Sequence, residues 1–369
     1  MTDSSESAKG SSAEENSVRE IRINPIVPSE SVLVSTARGL RPRKEEAPVE
    51  RDTREHVEKC PFCVGNEEMT PPTVAAWPTP TDWQVRVVEN LFPVLSPQQS
   101  GNALNFGLQK VIDGYGRHEV VIDHRNHGIR LSDMEVDHIQ GIFSVFRDRM
   151  QEIYASDTRI KYVLVFKNFG AAAGASIAHS HSQIVAMPVV PENVVNELTY
   201  TRQYYQKYQQ NIFHTLVDEA LTFEATIYDR ESGEVRRKID VGQYIIERGE
   251  YFIAIKPFAS RFEWEVQILP LMHQADFLDI KDEHMKDFAM VLKHTMQRLN
   301  KVLGGVQYNF FLHSLPHSPE WEDCRASYVW HLEVCPRTSI PTGFELGSGL
   351  FVSTVSPEDA AAQLRAVEI

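Results

Sequence analysis

The segment from residue 167 to residue 183, KNFGAAAGASIAHSHSQ, holds the residue types best suited to chemistry on a phosphate group. On an extended strand, His179, His181 and Gln183 would project from one face, because alternate residues of a strand share a face. The glycines and alanines before them would let backbone N–H groups approach an anion closely. The segment therefore predicts a phosphate-handling site; a solvent-facing strand with polar side chains is the alternative.

The two histidines of this row can have different tasks. A neutral imidazole can attack phosphorus and form a phosphoramidate, which divides one difficult transfer into two easier steps. A histidine that binds a metal cannot also attack, so one of His179 and His181 could complete a metal site while the other acts as the nucleophile. The amide of Gln183 forms hydrogen bonds but is neither an acid nor a base. The row therefore favours holding a covalent intermediate for a second acceptor over hydrolysing it.

Cys60 and Cys63 form a C-x-x-C motif, whose two thiolates can reach one tetrahedral zinc ion. A redox disulfide is the alternative, but it would need a thioredoxin-like strand and helix around it, which the sequence does not show. Because there is no second C-x-x-C, the remaining ligands must be histidines or carboxylates from elsewhere. The other two cysteines, Cys324 and Cys335, do not make a disulfide framework in a chain of 369 residues.

The composition limits the partners that the protein could have. Lys and Arg number 37 against 51 Asp and Glu, which gives a net charge of −14. We do not expect nucleic-acid binding, because affinity for phosphate backbones comes from Lys and Arg. The sequence has no apolar run of about 18 residues, the length that spans a membrane, and its polar N-terminus lacks the apolar stretch of a signal peptide. These features predict a cytoplasmic, globular protein without a membrane partner.

The elements that would position the candidate residues occur twice. A gap-free comparison of the chain with itself at an offset of 146 residues gives ten identities over positions 119–162, among them His127 with His273. The runs EVVID and YVLVF predict strands, and apolar residues at helical spacing between them predict a helix. Those residues are Ile139, Ile142, Phe143, Phe146, Met150 and Ile153. The pattern predicts an α+β protein with two similar halves.

We expect three regions along the chain. Residues 1–22 are predicted to be a disordered tail, because their Ser, Glu, Gly and Ala side chains bury too little apolar surface to offset the entropy of ordering. Residues 23–195 would form the N-terminal half, with zinc and the catalytic histidine, since the H-x-H-x-Q row occurs only there. Residues 196–369 would form the C-terminal half.

Together these motifs resemble the galactose-1-phosphate uridylyltransferase family, the transferase branch of the histidine-triad (HIT) superfamily. The likeness extends from about Ile23 to the C-terminus. It rests on the C-x-x-C, a mid-chain histidine, and H-x-H-x-Q after a GAAxGxS-type loop. It implies two pseudo-symmetric HIT-like halves with antiparallel sheets and packed helices. It also implies a homodimer, which is common in the family.

The resemblance gives roles to individual residues. His181 would be the nucleophile that takes the nucleotidyl group, and Gln183 would hold a phosphoryl oxygen. The zinc ligands would be Cys60, Cys63, His127 and His179, with His124 as the local competitor of His127. The substrate-binding residues would be Arg38, Arg41, Asn90, Asn168, Ser176 and Glu345. For the two arginines, a solvated loop is the alternative.

The resemblance also implies a second, structural metal site for iron or zinc. Its ligands would be Glu197, His313, His331 and Glu333. Glu333 stands where the family has a histidine, but a carboxylate can still bind such a metal. Without the resemblance, these four residues would be scattered polar groups.

The activity implied belongs to galactose metabolism: ping-pong transfer of a uridylyl group from UDP-glucose to galactose 1-phosphate through a nucleotidyl-histidine. Two departures concern the acceptor, because Phe344 replaces a family tyrosine and a phosphate-pairing lysine is replaced near Ser339. The GFELGSG and HSHSQ stretches look closer to ADP-glucose phosphorylase, which passes the nucleotide to inorganic phosphate; that activity is the alternative. A HIT-type hydrolase, which Gln183 disfavours, and a non-catalytic nucleotide-binding module are further alternatives.

Overall fold

The structure is a computed structural model that describes residues 17–40 and 52–369. Arg41 and most of the predicted tail lie outside the described residues. Residues 19–22, which we expected in the tail, instead belong to strand β1 (Arg19–Ile23). The physical reason is long-range packing: Arg22 is buried and donates a hydrogen bond of 3.0 Å to Glu358.

The described residues form seventeen strands and six α-helices. The strands are β1, β2 (Ser31–Ser35), β3 (Thr73–Pro78), β4 (Trp83–Glu89), β5 (Ala103–Phe106), β6 (Gln109–Ile112), β7 (Arg117–Ile122), β8 (Tyr162–Phe169), β9 (His181–Met187), β10 (Glu224–Tyr228), β11 (Val235–Asp240), β12 (Ile245–Arg248), β13 (Phe252–Ile255), β14 (Val266–Pro270), β15 (Tyr308–His313), β16 (His331–Pro336) and β17 (Phe351–Ser353). The helices are α1 (Val136–Ser156), α2 (Glu192–Tyr208), α3 (Ile212–Thr222), α4 (Asp282–Leu303), α5 (Gly343–Ser348) and α6 (Pro357–Arg365).

Ten strands form one antiparallel sheet in the order β12-β13-β14-β16-β15-β8-β9-β7-β4-β3. The order is the same from either edge, since β3, β4, β7, β9 and β8 correspond to β12, β13, β14, β16 and β15. β8 and β15 pair at the centre, with Phe166 opposite Phe311, and thereby join the two halves. The predicted α+β fold with two pseudo-symmetric halves, antiparallel sheets and packed helices is confirmed.

The long helices α1 and α4 pack against each other and against one face of the sheet. Phe143 of α1 and Phe288 of α4 meet edge to face, with ring centroids 4.8 Å apart. The six residues predicted to form the apolar face of α1 are all buried. Burial of these faces stabilises the joint core of the two halves, since each large apolar side chain contributes about 1.5–3 kcal/mol.

The opposite face of the sheet differs between the halves. In the C-terminal half it is covered by α2 and α3, whose apolar residues pack on Ile253 and Leu269 and also reach Tyr162 of the adjoining strand β8. In the N-terminal half a smaller apolar cluster around Cys60, Cys63 and Phe62 lies on β4 and β7. The division at residues 195 and 196 stays a prediction, and it falls within α2.

Three smaller sheets complete the structure. β1, β2 and β17 form one of them, and β5-β6 and β10-β11 form two hairpins. In the described part of the chain, none of the helices has both the length and the apolar character needed to span a bilayer.

Candidate active site and two metal-ligand clusters

His181 begins strand β9 and is held in one defined orientation. Its ring is only 8% exposed, and its Nδ1 lies 2.8 Å from the backbone oxygen of His179. Because a carbonyl oxygen can only accept, Nδ1 carries the proton and Nε2 keeps its lone pair. Burial, aided by the positive charge of Lys167, lowers the pKa of His181. The side chain is therefore a neutral imidazole with Nε2 available for attack.

A buried ion pair that sequence reasoning missed lies under the strand. The ammonium group of Lys167 donates to Asp123 at 2.5 Å, to Ser180 at 2.9 Å and to the backbone oxygen of His181 at 3.0 Å. Lys167 and Asp123 are both nearly inaccessible. The network fixes the backbone at the start of β9 and so determines where the His181 ring lies.

The four predicted zinc ligands come together at one point. The ligand atoms of Cys60, Cys63, His127 and His179 all lie within 4.8 Å of one another, and all four residues are buried. Nδ1 of His179 lies 3.6 Å from the sulfur atoms of Cys60 and Cys63, and Nδ1 of His127 lies 3.5 Å from the sulfur atom of Cys63. Two thiolates and two imidazoles match the donor set of a structural zinc site.

Neighbouring groups orient the ligands of this cluster. Nε2 of His179 donates to the backbone oxygen of His124 at 2.7 Å, which leaves Nδ1 for a metal. Burial lowers the pKa of His179 to about 4 and raises the pKa of the Cys60 thiol to about 11. A thiol of such high pKa needs a bound cation to become a thiolate. The side chain of His124 instead packs against His138, with ring centroids 4.3 Å apart and the rings tilted by 48°, and is not part of the cluster.

The C-x-x-C turn also reaches the predicted nucleophile. Phe62, between the two cysteines, packs edge-on against His181 with ring centroids 5.2 Å apart. A metal bound to Cys60 and Cys63 would therefore fix both the chain position of His179 and the wall beside His181.

The small-residue loop lies next to His181 and is held by the other half of the protein. Gly170 and Gly174 have φ of 87° and 86°, a region that suits glycine. The side-chain amide of Asn309, on β15, donates to Oδ1 of Asn168 at 2.8 Å and to the backbone oxygen of Ala173 at 2.9 Å. The exposed Ser176 follows in the same loop. Sequence reasoning missed Asn309, whose partners are 136 and 141 residues away.

Asn90 and Gln183 meet at a residue that sequence reasoning did not single out, His118 of β7. Nε2 of His118 lies 2.8 Å from Oε1 of Gln183 and 3.1 Å from the amide nitrogen of Asn90. The backbone N–H of Asn90 donates to the oxygen of His118 at 2.8 Å. The structure thus brings the predicted nucleotide-contacting Asn90 to β7, the strand beside the one that carries His181.

Arg38 and Glu345 lie together but in a different place. Both line a cleft of about 230 Å³ that includes Thr342 and Phe351 and no residue of β9 or of the small-residue loop. The carboxylate of Glu345 accepts hydrogen bonds from the hydroxyl and the N–H of Thr342 and so caps α5. The Thr342 hydroxyl is the main cause of a lowered Glu345 pKa, to which Arg38 contributes. Sequence reasoning missed this capping contact.

The second predicted metal cluster is also formed. Its members Glu197, His313, His331 and Glu333 are buried, and their ligand atoms lie within 4.8 Å of one another. Nδ1 of His313 lies 2.9 Å from Glu197, while Nε2 of His331 lies 3.7 Å from Glu333. Two carboxylates and two imidazoles could hold iron or zinc.

Glu333 has partners that explain how a carboxylate is accommodated at its position. Arg261 donates to one of its oxygens at 3.1 Å and Gln267 to the other at 2.9 Å. Burial acts to raise the pKa of Glu333, but the hydrogen bond with His331 and then the positive charge of Arg261 outweigh it, so the pKa is lowered. A cavity of about 550 Å³ opens beside this cluster, with Lys256 and Glu265 in its wall.

Comparison of the chain with known proteins finds relatives in the family that the motifs resemble. The family model for galactose-1-phosphate uridyl transferase, N-terminal domain, matches residues 10–191. The chain is 31% identical over 358 residues to an ADP-glucose phosphorylase of Arabidopsis thaliana, covering 96% of this chain and 95% of that protein. It is 28% identical over 361 residues to a galactose-1-phosphate uridylyltransferase of Thermotoga maritima, covering 95% of this chain and 99% of that protein.

Solved structures show the same relationship. A crystal structure of an ADP-glucose phosphorylase from Arabidopsis thaliana with bound ADP-glucose superposes with a TM-score of 0.78 at 30% identity, covering 95% of this chain and all of that one. A uridylyltransferase structure superposes with a TM-score of 0.68 at 26% identity, covering 94% of this chain and 97% of that one. These similarities extend over both halves and confirm the family predicted from the motifs: the chain belongs to the galactose-1-phosphate uridylyltransferase family of enzymes.

Proposed function

We propose that the protein transfers a nucleotidyl group from a nucleoside-diphosphate sugar to a phosphate acceptor through a covalent intermediate on His181. The observation that carries this proposal is the fixed tautomer of His181, whose Nδ1 proton is held by the His179 carbonyl so that Nε2 is unprotonated. The relatives named as uridylyltransferases and as ADP-glucose phosphorylase support it.

The reaction would proceed in two displacements. Nε2 of His181 attacks the α-phosphorus; the P–N bond forms as the bond to the bridging oxygen breaks, and a sugar 1-phosphate leaves. A second phosphate then attacks the same phosphorus and the P–N bond breaks. Both leaving and entering groups are phosphates of low pKa, so little acid catalysis is needed. Gln183, Asn168, Ser176 and the loop N–H groups would position the substrate and stabilise the developing charge.

We propose zinc for the cluster of Cys60, Cys63, His127 and His179. Four protein ligands leave no open position for water, so the metal would be structural. It would hold the C-x-x-C turn against His181. For the second cluster we propose a structural iron or zinc ion.

The leading donor and acceptor are UDP-glucose and galactose 1-phosphate. A second candidate, ADP-glucose with inorganic phosphate, is favoured by the similarity to the Arabidopsis phosphorylase and by the Arg38–Glu345 cleft, which no lysine among the described residues lines. Assays of each nucleotide sugar with each acceptor would separate the two. Absence of exchange in all four combinations would contradict the proposed transfer.

The covalent step has its own test. Incubation with the nucleotide sugar alone should add one nucleotidyl mass to the wild-type protein, and His181→Ala should abolish the adduct. A protein without an adduct would indicate a nucleotide-binding module, and one that releases free nucleotide without an acceptor would indicate a hydrolase.

We further propose a cytoplasmic homodimer in which the Arg38–Glu345 cleft of one subunit completes the His181 site of the other. The separation of the cleft from β9 within one chain supports this arrangement. The β5-β6 hairpin exposes Leu104, Phe106 and Leu108, which a second copy could cover. Mixing inactive His181→Ala and Arg38→Ala subunits should restore part of the activity if sites are shared. Lack of restoration in mixed dimers would contradict sharing.

A further inference from the structure

We propose that His118 is a positioning residue that fixes the orientation of the Gln183 carboxamide, so that its NH₂ group faces the reacting phosphate. This inference rests on the proposed function. His118 is 8% exposed and lies on β7, beside the strand that carries His181 and Gln183. Nothing in the spacing of the H-x-H-x-Q row points to it, because Gln183 is 65 residues away.

The backbone decides the tautomer of His118. The N–H of Val94 lies 3.2 Å from Nδ1, and since a backbone N–H can only donate, Nδ1 is the acceptor. In the neutral ring the proton is therefore on Nε2. Burial lowers the pKa of His118, which keeps the ring in this neutral form.

The tautomer in turn decides the orientation of Gln183. Nε2 of His118 lies 2.8 Å from Oε1 of Gln183, so the imidazole donates to the amide oxygen. With its oxygen held in this way, Gln183 has its NH₂ group left to donate. A phosphoryl oxygen can only accept, and the reversed amide would bring two oxygen atoms together.

The loop from residue 90 to residue 94 holds the ring in place. Oδ1 of Asn90 accepts from the N–H of Phe92 at 2.9 Å, and Asn90 packs its amide nitrogen 3.1 Å from Nε2 of His118. Because Nε2 is protonated, it cannot accept from the Asn90 amide, so this 3.1 Å contact is not a hydrogen bond. His118 thus connects the predicted nucleotide-contacting loop with the amide beside the nucleophile.

The expected effect is on the rate of the covalent step. Without the imidazole donor, the Gln183 amide can rotate, and the arrangement required in the transition state is populated less often. Loss of such an orienting contact costs about 10- to 100-fold in activity. Substrate binding should change less, because the small-residue loop and the arginine cleft are not touched and the backbone N–H of Asn90 still donates to the backbone oxygen of residue 118.

A double-mutant cycle tests the inference. His118→Phe keeps an aromatic ring but removes the donor, and Gln183→Ala removes the amide. The rate of His181 nucleotidylation is measured by rapid quench and intact mass with whichever nucleotide sugar modifies the wild-type protein. We expect a loss of about 10- to 100-fold for His118→Phe alone. In the Gln183→Ala background, the same substitution should have almost no further effect.

Two controls complete the experiment. His118→Gln, which offers another N–H donor, should recover part of the rate, and His294→Phe, at the far edge near β12, should leave it unchanged. Equal losses of rate in both Gln183 backgrounds would overturn the inference. So would a loss of activity that appears only as a higher KM for the nucleotide sugar. If His118→Phe does not fold, the cycle is run with His118→Leu, a smaller side chain that also lacks the donor. A wild-type protein without an adduct would contradict the proposed function itself.

Discussion

At the scale of single residues, chemistry in this protein depends on which nitrogen of each imidazole carries the proton. Backbone carbonyls fix this for His179 and His181, and a backbone N–H fixes it for His118. In each case the second nitrogen is left for the partner proposed above: a metal for His179, a phosphorus atom for His181 and the Gln183 amide for His118. These three rings are therefore oriented by main-chain groups more than by side-chain pairs.

The Lys167–Asp123 pair is predicted to be required for folding. Lys167→Met would leave the Asp123 carboxylate buried without its cation, which costs about 3–5 kcal/mol in the free energy of unfolding. Urea unfolding monitored by circular dichroism measures this loss. Adding Asp123→Leu should recover much of it, because the unpaired charge is removed as well; a double mutant no more stable than Lys167→Met would contradict the explanation.

Cys63→Ser is predicted to remove zinc from the first cluster while the second cluster keeps its metal. A serine hydroxyl is a poor ligand, and loss of metal binding is loss of folding free energy. Metal analysis by mass spectrometry should show less zinc, and thermal unfolding should shift to lower temperature. Cys324→Ser is the matched control: Cys324 is buried outside both clusters, so unchanged zinc is expected there. Equal zinc in both variants would argue against the proposed site.

Residue-level prediction from the sequence succeeded where ligands are close in a motif and failed where partners are distant. The C-x-x-C spacing brings Cys60 and Cys63 into one cluster, and His181 and Gln183 share strand β9, whereas His179 precedes that strand. His127 joins the cluster, but His273, its counterpart at the offset of 146 residues, bonds to the carbonyl of Arg325 and belongs to neither metal-ligand cluster among the described residues. His118 and Lys167 carry no spacing signal, because their partners are brought together by sheet pairing.

At the scale of elements, the offset of 146 residues holds for the helices and not for the central strands. α1 begins at Val136 and α4 at Asp282, and the buried Ile142 and Phe146 correspond to the buried Phe288 and Leu292. The matched tyrosines behave differently, because Tyr162 packs under α2 and α3 while Tyr308 packs under α1 and α4. A shift of one residue moves a side chain to the other face of a sheet, which composition does not reveal.

The small-residue loop is predicted to be sensitive to a single methyl group at Gly170. A Cβ there would lie 2.5 Å from the side chain of Gln307, whereas a Cβ at Gly174 meets nothing within 4 Å. Both glycines have positive φ, but Gly174 is in the left-handed helical region, where alanine costs about 1 kcal/mol, whereas Gly170, with ψ of 160°, is in a region that only glycine adopts readily, so alanine costs more there. Gly170→Ala should in addition displace the loop and lower the rate of nucleotidylation, as measured by intact mass. Similar rates in Gly170→Ala and Gly174→Ala would contradict a steric role for Gln307.

At the scale of the whole molecule, the C-terminal half lacks the H-x-H-x-Q row but supports the half that contains it. The central β8–β15 pairing puts Asn309 opposite Asn168, so a strand of the C-terminal half supports the predicted phosphate-binding loop. The same strand ends at His313, a member of the second metal cluster. The two halves therefore form one structural unit.

This dependence can be tested with a pair of cross-half substitutions. Asn309→Ala removes the hydrogen bonds to Asn168 and Ala173, so it should lower the rate of His181 nucleotidylation about tenfold, the scale of a lost orienting contact. Asn300→Ala also removes a bond across the halves, to Ser132 at 2.7 Å, but on the helical side of the sheet. It should cost about 1 kcal/mol in the free energy of unfolding and leave the rate unchanged. If Asn300→Ala slowed the reaction as much as Asn309→Ala, the C-terminal half would act only through overall stability.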